Sequence, residues 1–248
     1  MKRMCIAVLL LLLIALPAFA KTDIVLPPIA TFNQQDFKDL STDLGLAISY
    51  MPLAPAEPLG GVLPGFDIGV EVTAVEIDNN AQYWKEVEAA SGGSVPSTLV
   101  FPKLHVQVGL PIVPIDLGIV YGEAPNTNIK MTGYEIKWAI IRGGVAMPAV
   151  ALRGAYTQLS GVSDFDISTK SADISISKGF AIFTPYAGYG MVWIDSKDKR
   201  PVKLQDESLN ESKWFVGFKL TFFPFMNMVA EADFAQVNAY SLRLNVHF

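Results

Sequence analysis

Nine stretches of this chain alternate apolar and polar side chains with period two, and past residue 20 no apolar run is long enough to cross a bilayer as a helix. Such alternation sends successive side chains to opposite faces of an extended strand. From Phe66, "FDIGVEVTA" sets Phe66, Ile68, Val70 and Val72 against Asp67, Gly69, Glu71 and Thr73. "KLHVQVGL" opposes Leu104, Val106, Val108 and Leu110 to Lys103, His105, Gln107 and Gly109. "IDLGIVYG" places Asp116 on the polar side, "YEIKWAI" places Glu135 and Lys137 there, and the looser "VALRGAYT" adds Arg153. "ADISISK" adds Asp173, "KWFVGFKLTF" adds Lys213 and Lys219, and "MVAEADFA" adds Glu231 and Asp233. The closing "YSLRLNVHF" sets Tyr240, Leu242, Leu244, Val246 and Phe248 against Arg243 and its polar neighbours. "TPYAGYGMVWI" also reads as extended, although its glycines leave its facing open.

Two architectures fit this pattern: a soluble sandwich or a barrel in a membrane. A sandwich shows water a face rich in Lys, Glu and Thr. Here the polar face is heavy in Gly, Ser and Ala with single charges, and the apolar face is nearly continuous and carries Trp and Tyr. An apolar band with aromatics around a polar interior is the pattern of a transmembrane barrel. Composition agrees, at 51% hydrophobic and 17% charged. Only helices and closed barrels satisfy every backbone group in lipid, and spanning helices are not available to residues 21–248. The expectation is an all-β antiparallel transmembrane barrel of about ten strands.

The first twenty residues read as an export signal. Lys2 and Arg3 precede the apolar run Ile6 to Leu16, Pro17 breaks it, and Ala18-Phe19-Ala20 offers a small-x-small cleavage site. The run falls short of the ~20 residues a membrane anchor needs. Cleavage after Ala20 leaves 228 residues without a cysteine, since Cys5 is the only one, and hence without disulfides or thiol chemistry. Of the 19 basic residues, 17 remain beside 24 acidic ones, a net charge near −7. Such a chain has no basic patch for nucleic acid.

The connections set the strand number. With the strand at 65–77 rising first from the periplasm, the connections at 78–97, "GEAPNTN", "LSGVSDFD" and "DSKDKRPVKLQDESLNES" are the longer ones. "GLPIVP", "RGGVAMP", "KGFAIF" and "FPFMN" are tight, and "AQVNA" is a last external turn. Short periplasmic turns with longer external loops fit ten strands. The 78–97 connection, with "NAQYWKEVEAASGGS", is expected to hold a short helix. Residues 21–62 are expected to form an arm or plug ahead of a barrel at 63–248. Within them "FKDLSTDLGLAISYMPL" reads as a helix from Phe37 continuing as a strand from Leu44, while "PLAPAEPLGGVLPG" is too rich in Pro and Gly for a central strand. Two strands from this segment are the alternative, making twelve.

The terminal strand, with Tyr240, Leu244, Val246 and Phe248 at alternate positions, resembles the C-terminal signature of bacterial outer-membrane proteins. The whole mature chain resembles proteobacterial, Gram-negative outer-membrane barrel proteins, and "PAEPLGGVLPGFDIGVEVTA" reads as a family block. The resemblance implies a monomer in outer-membrane lipid, delivered by periplasmic chaperones and recognised by the barrel assembly machinery.

Chemistry is sparse. His105 reads as one member of an interior polar network, and His247 sits at the periplasmic end. No nucleophile elbow, paired histidine or complete calcium loop is present in the sequence, so neither an enzyme, a metal nor a cofactor is expected. The candidate functional positions are the lumen charges: Asp67, Glu71, Lys103, His105, Asp116, Glu135, Lys137, Arg153, Asp173, Lys213, Lys219, Glu231, Asp233 and Arg243. Both signs are mixed, which suits either a packed polar core or a narrow path for small solutes. The expected role is structural or porin-like, small-solute passage through the lumen. The alternatives are a plugged barrel moving hydrophobic molecules into the membrane, and a surface-loop binding or adhesion module.

Overall fold

The structure, a computed structural model, describes residues 24–125 and 127–248. The expected export signal and its cleavage site lie outside the described residues. Ten antiparallel strands follow one another around a closed barrel. They are β1 (Gly65–Glu76), β2 (Thr98–Gly109), β3 (Ile115–Glu123), β4 (Lys130–Arg142), β5 (Ala149–Ser160), β6 (Phe165–Ser177), β7 (Phe183–Asp198), β8 (Glu207–Phe223), β9 (Met226–Phe234) and β10 (Ala239–His247). Each pairs with its sequence neighbour, and β1 meets β10 from Asp67↔His247 to Val75↔Ala239, so no sheet edge is left open.

The alternation decides which way each face turns. Ile136, Trp138, Trp214 and Leu242 stand out from the wall, half-exposed, while Glu135, Lys137, Lys213 and Arg243 beside them are buried inside. A large apolar outer surface around a charged interior is the inverse of a water-soluble protein, and a lipid belt is its match. The strand left open by the sequence, β7, turns Tyr186, Val192 and Ile194 inward and Tyr189 and Trp193 outward. Its glycines serve packing. A Cβ at Gly188 would collide with the Phe215 ring, and one at Gly217 with Tyr186, so each inward aromatic lies over a glycine of the adjoining strand.

Two helices complete the chain. α1 (Gln34–Ile48) starts with a capping box: the Asn33 side chain accepts from the Gln35 and Asp36 backbone N–H groups, and the Asp36 carboxylate accepts from the Asn33 N–H. α2 (Gln82–Ser91) lies in the β1–β2 connection and ends at Gly92, whose φ of 69° closes the helix in the left-handed region. No helix among the described residues is long and apolar enough to cross a membrane. α1 buries Phe37, Leu40, Leu44 and Ile48 inside the barrel against Phe101, Phe165, Val192 and Ile194.

The structure corrects two readings. No strand starts at Leu44: the helix runs on to Ile48. Residues Leu44 to Ile48 are buried on every side, and a short apolar run buried all round carries no period that separates helix from strand. The charged segment 195–212 is mostly strand, and only 199–206 leaves the ladder. There β7 and β8 rise above the apolar belt, where polar residues suit both faces and the alternation disappears.

Candidate functional site

The barrel has a long-loop end, which carries α2 and the 199–206 connection, and a short-turn end, where β1 begins and β10 stops. The described chain enters at the long-loop end. There the Val25 N–H donates to Ser91 Oγ (3.0 Å), the Leu26 N–H donates to Asp164 (3.0 Å), and Arg200 donates to the Pro27 carbonyl. α1 then enters the barrel, with Ser41 Oγ 2.9 Å from Ser196 Oγ. Residues 49–60 continue down the interior to the other end, where the backbones of Gly60 and Gly109 meet too closely to admit a Cβ at either.

The wall charges hold this strap. The Lys213 ammonium donates to the Tyr50 carbonyl (2.8 Å) and pairs with Asp233 (2.9 Å). Glu231 accepts from the Leu53 N–H (2.9 Å) and the Tyr186 hydroxyl (2.7 Å). Lys137 donates to the carbonyls of Pro55 (3.1 Å) and Glu57 (2.9 Å) and pairs with Asp116 (2.9 Å), which in turn accepts from the Leu59 N–H. A proline-rich segment makes no ladder of its own, so its carbonyls are free for these ammonium groups. The remaining pairs are Lys103–Glu71 (2.7 Å), Arg153–Glu135 (2.9 Å), the longer Arg153–Asp173 (3.9 Å), Arg243–Asp67, and Lys219 with Glu57 of the strap (3.9 Å). His105 lies between Glu71 (3.0 Å) and the Tyr50 hydroxyl (2.6 Å), edge-on to the Tyr50 ring.

All fourteen predicted lumen residues therefore turn inward. Twelve are buried to 5% exposure or less, and Asp173 and Lys219 are intermediate. The four positions of the C-terminal signature turn outward or lie at the rim, and the Phe248 ring stacks on Phe66 at 5.7 Å. Among the described residues, α1, the strap and the wall charges that hold it occupy the barrel interior.

Sequence reasoning missed a cavity at the long-loop end. It holds about 440 Å³ between α1, α2 and the upper ends of β2–β5, with a mainly apolar lining that includes Leu44, Trp84, Val87, Phe101 and Leu159. The signal in the sequence was Trp84 and Val87, three apart in an otherwise charged loop helix, which share one face and are both buried. α2 is fixed to α1 through one carboxylate, since Tyr83 Oη and Trp84 Nε1 both donate to Asp43 (2.8 Å each). Burial holds the Asp43 carboxyl above the ordinary carboxylate range, against the pull of these two donors. Burial and the adjacent Asp43 charge likewise push the Tyr83 hydroxyl upward.

The cavity reaches the outside of the wall. The β2–β3 ladder runs only from Lys103↔Gly122 to Gly109↔Asp116, so the first residues of β2 extend beyond it. Pro102, at that boundary, has no N–H to give. Leu99 and Phe101 line the cavity from inside and Val100 from the outer face, 42% exposed.

No protein-family model matches the sequence, and a comparison with curated proteins returns no match. Among solved structures, the chain is similar to the N-terminal β-barrel domain of Pseudomonas aeruginosa OprF at 11% identity, covering 73% of this chain and 97% of that one, with a TM-score of 0.37. It is similar to Acinetobacter baumannii Omp33 at 7% identity, covering 74% and 97%, with a TM-score of 0.36. Neisserial surface protein A is similar at 7% identity, covering 74% and 95%, with a TM-score of 0.32.

Proposed function

We propose that this chain is a bacterial outer-membrane protein whose lumen is stoppered by its own N-terminal segment and whose outer mouth binds a small apolar molecule. The observation that carries the reading is the cavity at the long-loop end, whose volume lies within the range of small-molecule sites and whose walls are mainly apolar. The apolar outer belt supports placement in a bilayer, and the charged, looped end with α2 suits the outside of the cell. The filled lumen favours this reading over passage of polar solutes, because a conducting path would require the strap to leave carboxylates and ammonium groups that it now satisfies. The open stretch of β2 gives the cavity a side opening just above the apolar belt, since Leu104 is level with Tyr121. Phe248, Val246, Leu244 and Tyr240 act, in this reading, as the address for chaperones and the assembly machinery.

The test is a titration of the refolded chain in detergent with N-phenyl-1-naphthylamine, an apolar dye that brightens out of water. Saturable binding is expected, weakened at least tenfold by Val87→Arg, which puts a cation into the cavity. Equal binding by the variant, with the heat-dependent gel shift of a folded barrel retained, would place the dye elsewhere and remove the proposal.

A further inference from the structure

The short-turn rim is as unusual as the lumen. Its connections are 60–64 (GGVLP), 110–114 (LPIVP), 143–148 (GGVAMP), 178–182 (KGFAI) and 224–225 (PF), and Lys178 is the one polar side chain among them. Leu63, Ile112, Val145, Phe180, Phe225 and Phe248 stand out from this rim, each at least 59% exposed. The long-loop end, by contrast, exposes Lys199, Lys203 and Asp206 in one connection alone. Water would not favour such a rim.

Backbone bonding at the rim has the same character. The Lys178 ammonium caps three carbonyls of a neighbouring turn, those of Gly144 (2.7 Å), Val145 (2.7 Å) and Met147 (3.2 Å). Arg142 caps the Ile112 carbonyl, and the Ile112 N–H donates to the Gly61 carbonyl (2.7 Å). Phe180 and Phe183 exchange both of their backbone bonds (2.7 and 2.9 Å). Exposed turns in water leave such carbonyls to solvent, whereas in lipid they must find partners within the protein.

The height of the apolar belt points the same way. Tyr121 and Tyr156 mark its upper edge on β3 and β5. From Tyr121 down to Ile115, where β3 starts, is six residues, which at ~3.4 Å per residue and a tilt of about 40° is only ~16 Å. Continuing to Ile112 makes nine residues and ~23 Å, and Tyr156 to Met147 gives the same count. An outer-membrane belt is ~25 Å tall, so at β3 and β5 the strands alone fall short and the turns complete it.

We infer that the short-turn rim is itself immersed in the phospholipid leaflet on that side, with Arg142 and Lys178 as its flanking cations. The barrel then sits low and meets acyl chains and headgroups, where a porin would meet water. This rests on the turns and the belt, independently of any ligand at the outer mouth.

The test uses single cysteines in a Cys5→Ser background, Val145→Cys and Lys203→Cys, reconstituted in phospholipid vesicles with a charged maleimide present on both sides. Val145→Cys is expected to label at least tenfold more slowly than Lys203→Cys, with the two equal after denaturation. In parallel, Ile112→Trp should be quenched by phospholipids brominated on the acyl chain. Equal labelling in vesicles would put the rim in water and overturn the inference. So would slow labelling without bromine quenching, which would mean that a second copy covers the rim. Protection in cells but not in vesicles would assign the rim to a protein partner and would overturn it as well.

Discussion

At position 137 one ammonium group meets three oxygens that the fold gives no other cation: the carbonyls of Pro55 and Glu57, and the Asp116 carboxylate. Removing it leaves a buried carboxylate uncompensated, at a cost on the order of 3–5 kcal/mol. Lys137→Met is therefore expected to loosen the strap without unmaking the wall, and to lower the barrel's urea midpoint. Proteolysis of residues 49–60 in the folded variant, absent from the parent chain, is the check. Asp43 gives the opposite lesson. Burial raises its pKa, so its contribution to the α1–α2 latch is fully present below the ordinary carboxylate range and is lost as pH rises through the raised value. Trp84 fluorescence should report a latch that is tightest in acid and loosens as pH rises through that raised value. Asp43→Asn should flatten that profile. A profile that is unchanged in the variant would remove Asp43 from the latch.

At the scale of elements, the strap depends on close backbone approach as much as on charge. Gly109 lies against Gly60 with no room for a Cβ, so Gly109→Val should displace the foot of the strap while the β1–β2 ladder persists. The expected outcome is a folded barrel by circular dichroism with faster amide exchange confined to residues 52–61. The strands were legible in the sequence because lipid on one side and buried charge on the other enforce period two. Asp67, Glu135 and Arg243 could be placed inside from that pattern alone. Where one side is not lipid the legibility ends. Residues 195–198 and 207–212 are strand in polar surroundings, and Leu44 to Ile48 is helix in wholly apolar ones, so neither environment imposes a telling period. The cavity was hidden for a different reason, since it is assembled from Leu44, Trp84, Phe101 and Leu159, distant in sequence and joined only by the closure of the barrel.

The described molecule is a barrel polarised along its axis: charged and helical at one end, apolar in its turns but for Lys178 at the other, and occupied by α1 and the strap between. Closure pairs every strand on both sides, and that predicts strong kinetic resistance to unfolding. Unboiled protein should run at a different position from boiled protein in a detergent gel, and identical migration would count against a closed barrel. The filled interior is what separates an apolar site at the barrel mouth from a path for solutes through the lumen. Single-channel conductance of the intact mature chain in a planar bilayer tests it most directly. Silence at low voltage is expected, with discrete steps appearing in Lys137→Met as the strap loosens. Steady ohmic steps from the unmodified chain would contradict it, and would return the lumen charges to the role of a solute path.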